Sequence, residues 1–140
     1  MDTCVWVSAV RSRSGASFAI LKRIGSGEFR FGISVALFLQ YRAKLTEARA
    51  ERATTLSQKR IDAILAALAH YGDPVPIFFR LRPNLADEGD NLVFECAANF
   101  AAPCIVTHKV RDFSTPELAG YRIEPVRPGK FLAMLRRDRL

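Results

Sequence analysis

Acids are the scarce chemical resource of this chain. Asp and Glu number 14 among 140 residues, against 21 Lys and Arg, so the places where they fall are informative. Asp2 follows the opening apolar residue. Asp87 and Glu88 stand just ahead of an apolar run that starts at Asp90. Asp112 precedes the last elements of the chain. A carboxylate can hold a hard cation or move a proton. Other chemistries are poorly supplied. Cys4, Cys96 and Cys104 are odd in number and form no Cys-x-x-Cys pair, which argues against a disulfide framework and a zinc ribbon. His70 and His108 are too few and too far apart for a histidine zinc site. Ser12, Ser14 and Ser17 sit in a basic loop and read as loop chemistry, not as a nucleophile.

The elements that would position these acids follow from periodicity. Phe18, Ile20, Leu21 and Ile24 have helical spacing, ended by Gly25 and Gly27. Phe29, Phe31 and Ile33 alternate as a short strand. Ser34 caps a helix carrying Val35, Phe38, Leu39 and Leu45. The charged stretch over 45–55 reads as that helix's end and a solvated connection. Ser57 caps the clearest helix, whose face is Ile61, Ile64, Leu65, Leu68 and Tyr71, and Gly72 ends it. The apolar run 75–79 reads as a buried strand, and 81–90 as a polar loop. Asp90 starts a helix with Val93, Cys96, Ala97 and Phe100 on one face. A buried strand follows over 104–107, then loop or broken helix over 108–120. Tyr121, Ile123 and Val126 suggest a last strand. Pro128 opens a final helix with Phe131, Leu132 and Leu135.

Alternating strands and helices predict an α/β fold with a mainly parallel sheet, whose working residues gather at the carboxyl ends of strands. The length predicts one domain, 1–140, with a basic tail at 136–140. The N-terminus lacks the basic start of a secretory signal, and no apolar run approaches about 18 residues, so a cytoplasmic protein that does not span a membrane is expected. The net charge of +7 has two readings: an anionic partner, nucleic acid first among them, or plain solubility with a basic tail.

Four stretches, in order, resemble the motifs of PIN-domain ribonucleases. Asp2-Thr3-Cys4 followed by an apolar stretch resembles the opening Asp-Thr-Asn motif, with Cys4 in place of Asn. The stretch around Gln40 and Tyr41 resembles the second motif, where Glu normally precedes Tyr. Asp90, at the head of its apolar helix, matches the third. Thr107, Asp112 and Phe113 match the fourth, with Lys109 where Asn or Asp is usual. The resemblance is nearest to bacterial PIN proteins of toxin–antitoxin type.

The resemblance implies a three-layer sandwich around the parallel sheet. It also implies metal-dependent RNA hydrolysis, with Asp2, Asp90 and Asp112 holding Mg²⁺ or Mn²⁺ and Gln40 as a weak fourth ligand. Thr107, Lys109 and Arg111 would meet the substrate. RNA, a cognate antitoxin and a second copy of the chain are the implied partners. Compared with Glu and Asn, Gln40 and Lys109 shift the local charge by two positive units. An ammonium about 4 Å from a cation costs roughly 4 kcal/mol at an effective dielectric near 20, so metal affinity should fall. The alternative is an inactive PIN-like module that binds RNA or an antitoxin.

Family members carry several apolar residues before the first Asp. The first strand is therefore expected to be largely missing here: either the true start lies upstream of Met1, or the chain is a degraded relative that lacks this strand. Individual residues keep plainer readings beside these. Asp90 also suits a helix cap, Asp112 suits a turn cap, Asp87 and Glu88 suit a solvated loop, and the strand-end hydroxyl of Thr107 suits the orienting of a carboxylate or water. His70 reads as structural, His108 as non-catalytic and Cys4 as buried and inert. Arg11 and Arg13 read as a solvated loop.

Overall fold

The computed structural model describes residues 1–79, 85, 87–114 and 116–138, the side chains of residues 116, 117 and 119 excepted. The polar loop read over 81–90 therefore lies partly outside the described residues, as do the last two residues of the basic tail.

Helix α1 (Thr3–Arg11) follows Asp2 directly and buries Val5, Trp6, Ala9 and Val10. Helix α2 (Ala16–Lys22) packs on it, and the chain then leaves through Gly25, whose φ is +84°. A Cβ at Gly25 would lie 2.8 Å from the Tyr71 ring, so glycine is needed there for space as well as conformation. Strand β1 (Gly32–Ile33) is shorter than the alternation of Phe29, Phe31 and Ile33 suggested. Helix α3 (Val35–Ala50) is capped by Ser34, whose hydroxyl accepts from the Leu37 N–H at 3.1 Å. Helix α4 (Gln58–Tyr71) is capped in the same way by Ser57.

Strand β2 (Asp73–Pro74) pairs with β1 in parallel. The buried strand expected over 75–79 is corrected here. Val75 is buried, but Phe78 is 82% exposed and Phe79 50%. Pro74 and Pro76 have no N–H to continue a ladder. The Phe78 N–H instead donates to the Asn99 side chain at 3.1 Å.

Helix α5 (Glu88–Phe100) packs against β1 and against β3 (Cys104–Val106). After two 3₁₀ turns (Val110–Phe113 and Pro116–Tyr121), β4 (Glu124–Val126) pairs with β3, again in parallel. Helix α6 (Pro128–Asp138) starts with proline at its first position and takes in Arg136 and Arg137. The class is α/β and the pairing parallel throughout the described residues, but the sheet is split into two two-stranded pieces.

Between those pieces the Asp2 N–H donates to the Val106 carbonyl at 2.9 Å. That single bond, one rung before α1 begins, lays the start of the chain beside the end of β3. Tyr41, fully buried on α3, donates its hydroxyl to the Met1 carbonyl at 2.5 Å and fixes the approach to Asp2. Beside that rung lies a largely apolar pocket of about 150 Å³, partly open to solvent and lined by Met1, Gly32, Cys96, Phe100, Cys104 and Val106 among others. The core continues around it. Trp6 stands edge-on to Tyr41 (6.2 Å, 86°) and meets Phe31 at 6.3 Å. Each such fully buried ring contributes about 2–3 kcal/mol from its apolar area.

Candidate functional site

A groove of about 560 Å³ opens where α1, α3, α5 and the end of β3 meet. Asp2 occupies the N-cap position of α1 with extended backbone (φ −71°, ψ 147°), yet its side chain makes no capping bond. An aspartate there ordinarily caps its own helix. Here the carboxylate turns the other way. It accepts from the Thr107 hydroxyl at 2.6 Å and from the Cys4 thiol at 3.2 Å, and the residue is 2% exposed. Burial, with the Asp2 charge beside it, pushes the Cys4 thiol up to about 11, so Cys4 acts as a protonated donor.

Thr107 is itself fully buried, and its hydroxyl oxygen also accepts the Lys109 N–H at 2.9 Å. The resemblance placed Thr107 against substrate. The structure sets it behind Asp2, in the other role the sequence offered, as the hydroxyl that aims that carboxylate.

Asp87, not Asp90, caps α5; its carboxylate accepts from the Gly89 N–H at 2.9 Å. Asp90 therefore lies in the first turn, where the helix dipole favours an acid. It is 2% exposed and lines the groove. Burial pushes its carboxyl up, opposed by the hydrogen bond and charge of Lys109. Gln40 projects from α3 and accepts the Thr3 hydroxyl through Oε1. A Cβ at Gly89 would fall 2.6 Å from Gln40 Nε2, so the glycine admits that amide to the head of α5.

Lys109 is the residue that decides what the groove can hold. Its ammonium lies 2.5 Å from Asp90 Oδ1 and 3.6 Å from Asp87 Oδ2. Burial alone would pull this lysine down. The hydrogen bond to Asp90 and the charges of Asp2, Asp90 and Asp87 outweigh that and hold it above the usual lysine range.

The structure does not bring Asp112 or Arg111 to the groove. Both are exposed on the 3₁₀ turn Val110–Phe113. Phe113, 3% exposed, takes the inward position of that turn, which leaves its two predecessors facing out. Asp2, Gln40, Asp90 and Lys109 do converge, and they line the groove together.

Several lining residues escaped the sequence reading. Lys44 lies one helical turn beyond Gln40 on α3, a spacing that could have exposed it. Arg11, read as part of a solvated loop, is the last residue of α1 and borders the groove. His108 accompanies it, hydrogen-bonded through Nε2 to the buried Ser17 hydroxyl at 3.0 Å. The groove thus sets three acids, Asp2, Asp87 and Asp90, against three cations, Arg11, Lys44 and Lys109.

Mg²⁺ and Mn²⁺ take oxygen donors, and by type the Asp2, Asp90 and Gln40 oxygens suit them. By arrangement they do not. The Asp90 oxygen is engaged by an ammonium, an Asp2 oxygen by Thr107 and Cys4, and the Gln40 oxygen by Thr3. Among the described residues, no three His, Cys, Asp or Glu side chains form a metal-holding group. As folded, these residues do not fit a divalent ion.

No helix among the described residues is long and apolar enough to cross a membrane. No curated protein and no solved structure matches the chain. A family model described as PIN domain matches residues 1–111. PIN domains as a family are nuclease-type proteins that cleave RNA with divalent metal ions, and this chain belongs to them.

Proposed function

We propose that the chain binds RNA along this groove as a cytoplasmic, toxin-type PIN module in which metal-dependent hydrolysis has been reduced. The observation that carries the reading is the Lys109 ion pair with Asp90 and Asp87 at the floor of the groove. It neutralises acids that would otherwise repel a phosphate. Arg11 and Lys44 line the same groove and can meet the backbone of a single strand, Lys44 by giving up its exposed ion pair with Glu47 at 3.3 Å, and the net charge of +7 favours the encounter. No hydrolytic step is assigned to the groove, because its residues do not fit the ion that such a step needs. We further propose a cognate antitoxin and a second copy of the chain as protein partners. The exposed apolar residues Val35 and Leu39 on the first turns of α3 support a protein contact.

Fluorescence anisotropy with single-stranded RNA over a range of KCl tests the reading. Each phosphate contact contributes about −0.7 to the slope of log K against log salt for single strands. The Arg11→Ala/Lys44→Ala variant should therefore flatten the slope by about 1.4. An unchanged slope refutes the RNA assignment. RNA cleavage that Mn²⁺ stimulates, that Asp90→Asn abolishes and that Gln40→Glu/Lys109→Asn does not raise refutes the reduction of hydrolysis.

A further inference from the structure

The contacts of Lys109 go beyond an incidental surface ion pair. The Asp90 side chain is 3% exposed and that of Lys109 34%, so the bond between them lies at the buried end of the lysine. Asp87 meets the same ammonium from the helix cap, and Asp2 lines the same groove. The lysine is also pre-aimed. Its N–H is held by the Thr107 hydroxyl, the same hydroxyl that holds Asp2. Directly after it, the 3₁₀ turn Val110–Phe113 anchors the chain through the buried Phe113. Asp2 and Asp90 are both 2% exposed, while Asp87 is open to solvent, and two buried carboxylates facing one groove are unstable without a positive charge. Here one covalently attached cation reaches that groove from a fixed backbone position.

We propose that Lys109 is a resident counter-ion: its ammonium takes the seat of a divalent metal, so the groove is complete without one. The proposal rests on reading this groove as the PIN centre. It makes metal indifference a property of one side chain, removable by a single substitution.

The test uses the full chain with MnCl₂ as probe, bound ion being read by electron paramagnetic resonance and folding by thermal unfolding. The wild-type chain should unfold at the same temperature in MnCl₂ and in EDTA. Lys109→Met keeps a similar length without the charge. It should unfold at a lower temperature in EDTA, recover in MnCl₂, and bind Mn²⁺ at least about tenfold more tightly than wild type. Wild-type binding as tight as that of the variant overturns the proposal. So does a variant that is as stable as wild type in EDTA and indifferent to Mn²⁺.

Should Lys109→Met fail to fold, Asp90→Asn/Lys109→Met removes both charges together. It should fold and ignore Mn²⁺, and Mn²⁺ binding by that pair overturns the proposal. RNA anisotropy on the same proteins keeps the two readings apart. A chain that shows this Mn²⁺ pattern but binds no RNA loses the RNA assignment and retains the counter-ion.

Discussion

Thr107→Val removes one hydroxyl from a fully buried site while keeping nearly the same shape. Three contacts go with it, the weakest being the one to the Cys4 thiol at 3.7 Å. Asp2 loses its 2.6 Å donor, and the Lys109 N–H loses its 2.9 Å acceptor. A hydrogen bond to a charged group contributes about 1.5–3 kcal/mol, and a backbone N–H left unpaired costs about 1 kcal/mol or more. Lys109 is only partly buried, which places its share at the low end. The expected loss is about 3 kcal/mol, or about 10 °C in Tm for a chain of this size. Urea unfolding measures it, with the slope m unchanged because the folded surface is the same. Thr107→Ser is the control. It keeps the hydroxyl and gives up one buried methyl, at a cost of about 1 kcal/mol. A loss below about 1 kcal/mol for Thr107→Val, or equal losses for Val and Ser, refutes the claim that this hydroxyl holds Asp2.

Three further outcomes follow from named contacts. Gly32→Ala places a Cβ 2.7 Å from the Phe100 ring and 2.8 Å from Val75, so equilibrium unfolding should show a loss of about 1–3 kcal/mol from overpacking. Asp112→Ala alters an exposed turn outside the groove; stability should stay within about 0.5 kcal/mol and RNA affinity should not move, by calorimetry and anisotropy. The Cys4 thiol, pushed up to about 11 by burial, should alkylate with iodoacetamide slowly at pH 8 and faster as pH rises toward that value, because only the thiolate reacts. Peptide mass spectrometry reads the site.

The signals that proved legible in the sequence were local ones. Ser34 and Ser57 cap their helices because a hydroxyl reaches an N–H three residues on, whatever surrounds it. The apolar stripe of α4 and the proline that opens α6 are of the same kind. The misses depended on partners distant in sequence. The run 75–79 has a strand's composition, but its prolines cannot donate and Asn99 from α5 takes the backbone instead. Asp112 fitted a motif by spacing, and the tighter 3₁₀ turn gave the inward place to Phe113. Gln40 and Lys109 were visible as a charge anomaly. That the lysine expected to weaken metal binding would bond Asp90 directly required the close packing of α5 against the turn that follows β3.

The largely apolar pocket beside Met1 sets the chain's one indole close to a place that small apolar molecules can enter. Phe31 lines that pocket and meets the buried Trp6 ring edge-on, with 6.3 Å between centroids. Trp6 is the single tryptophan, so the only indole fluorophore of the chain lies one ring away from the pocket, where its emission can report an apolar occupant.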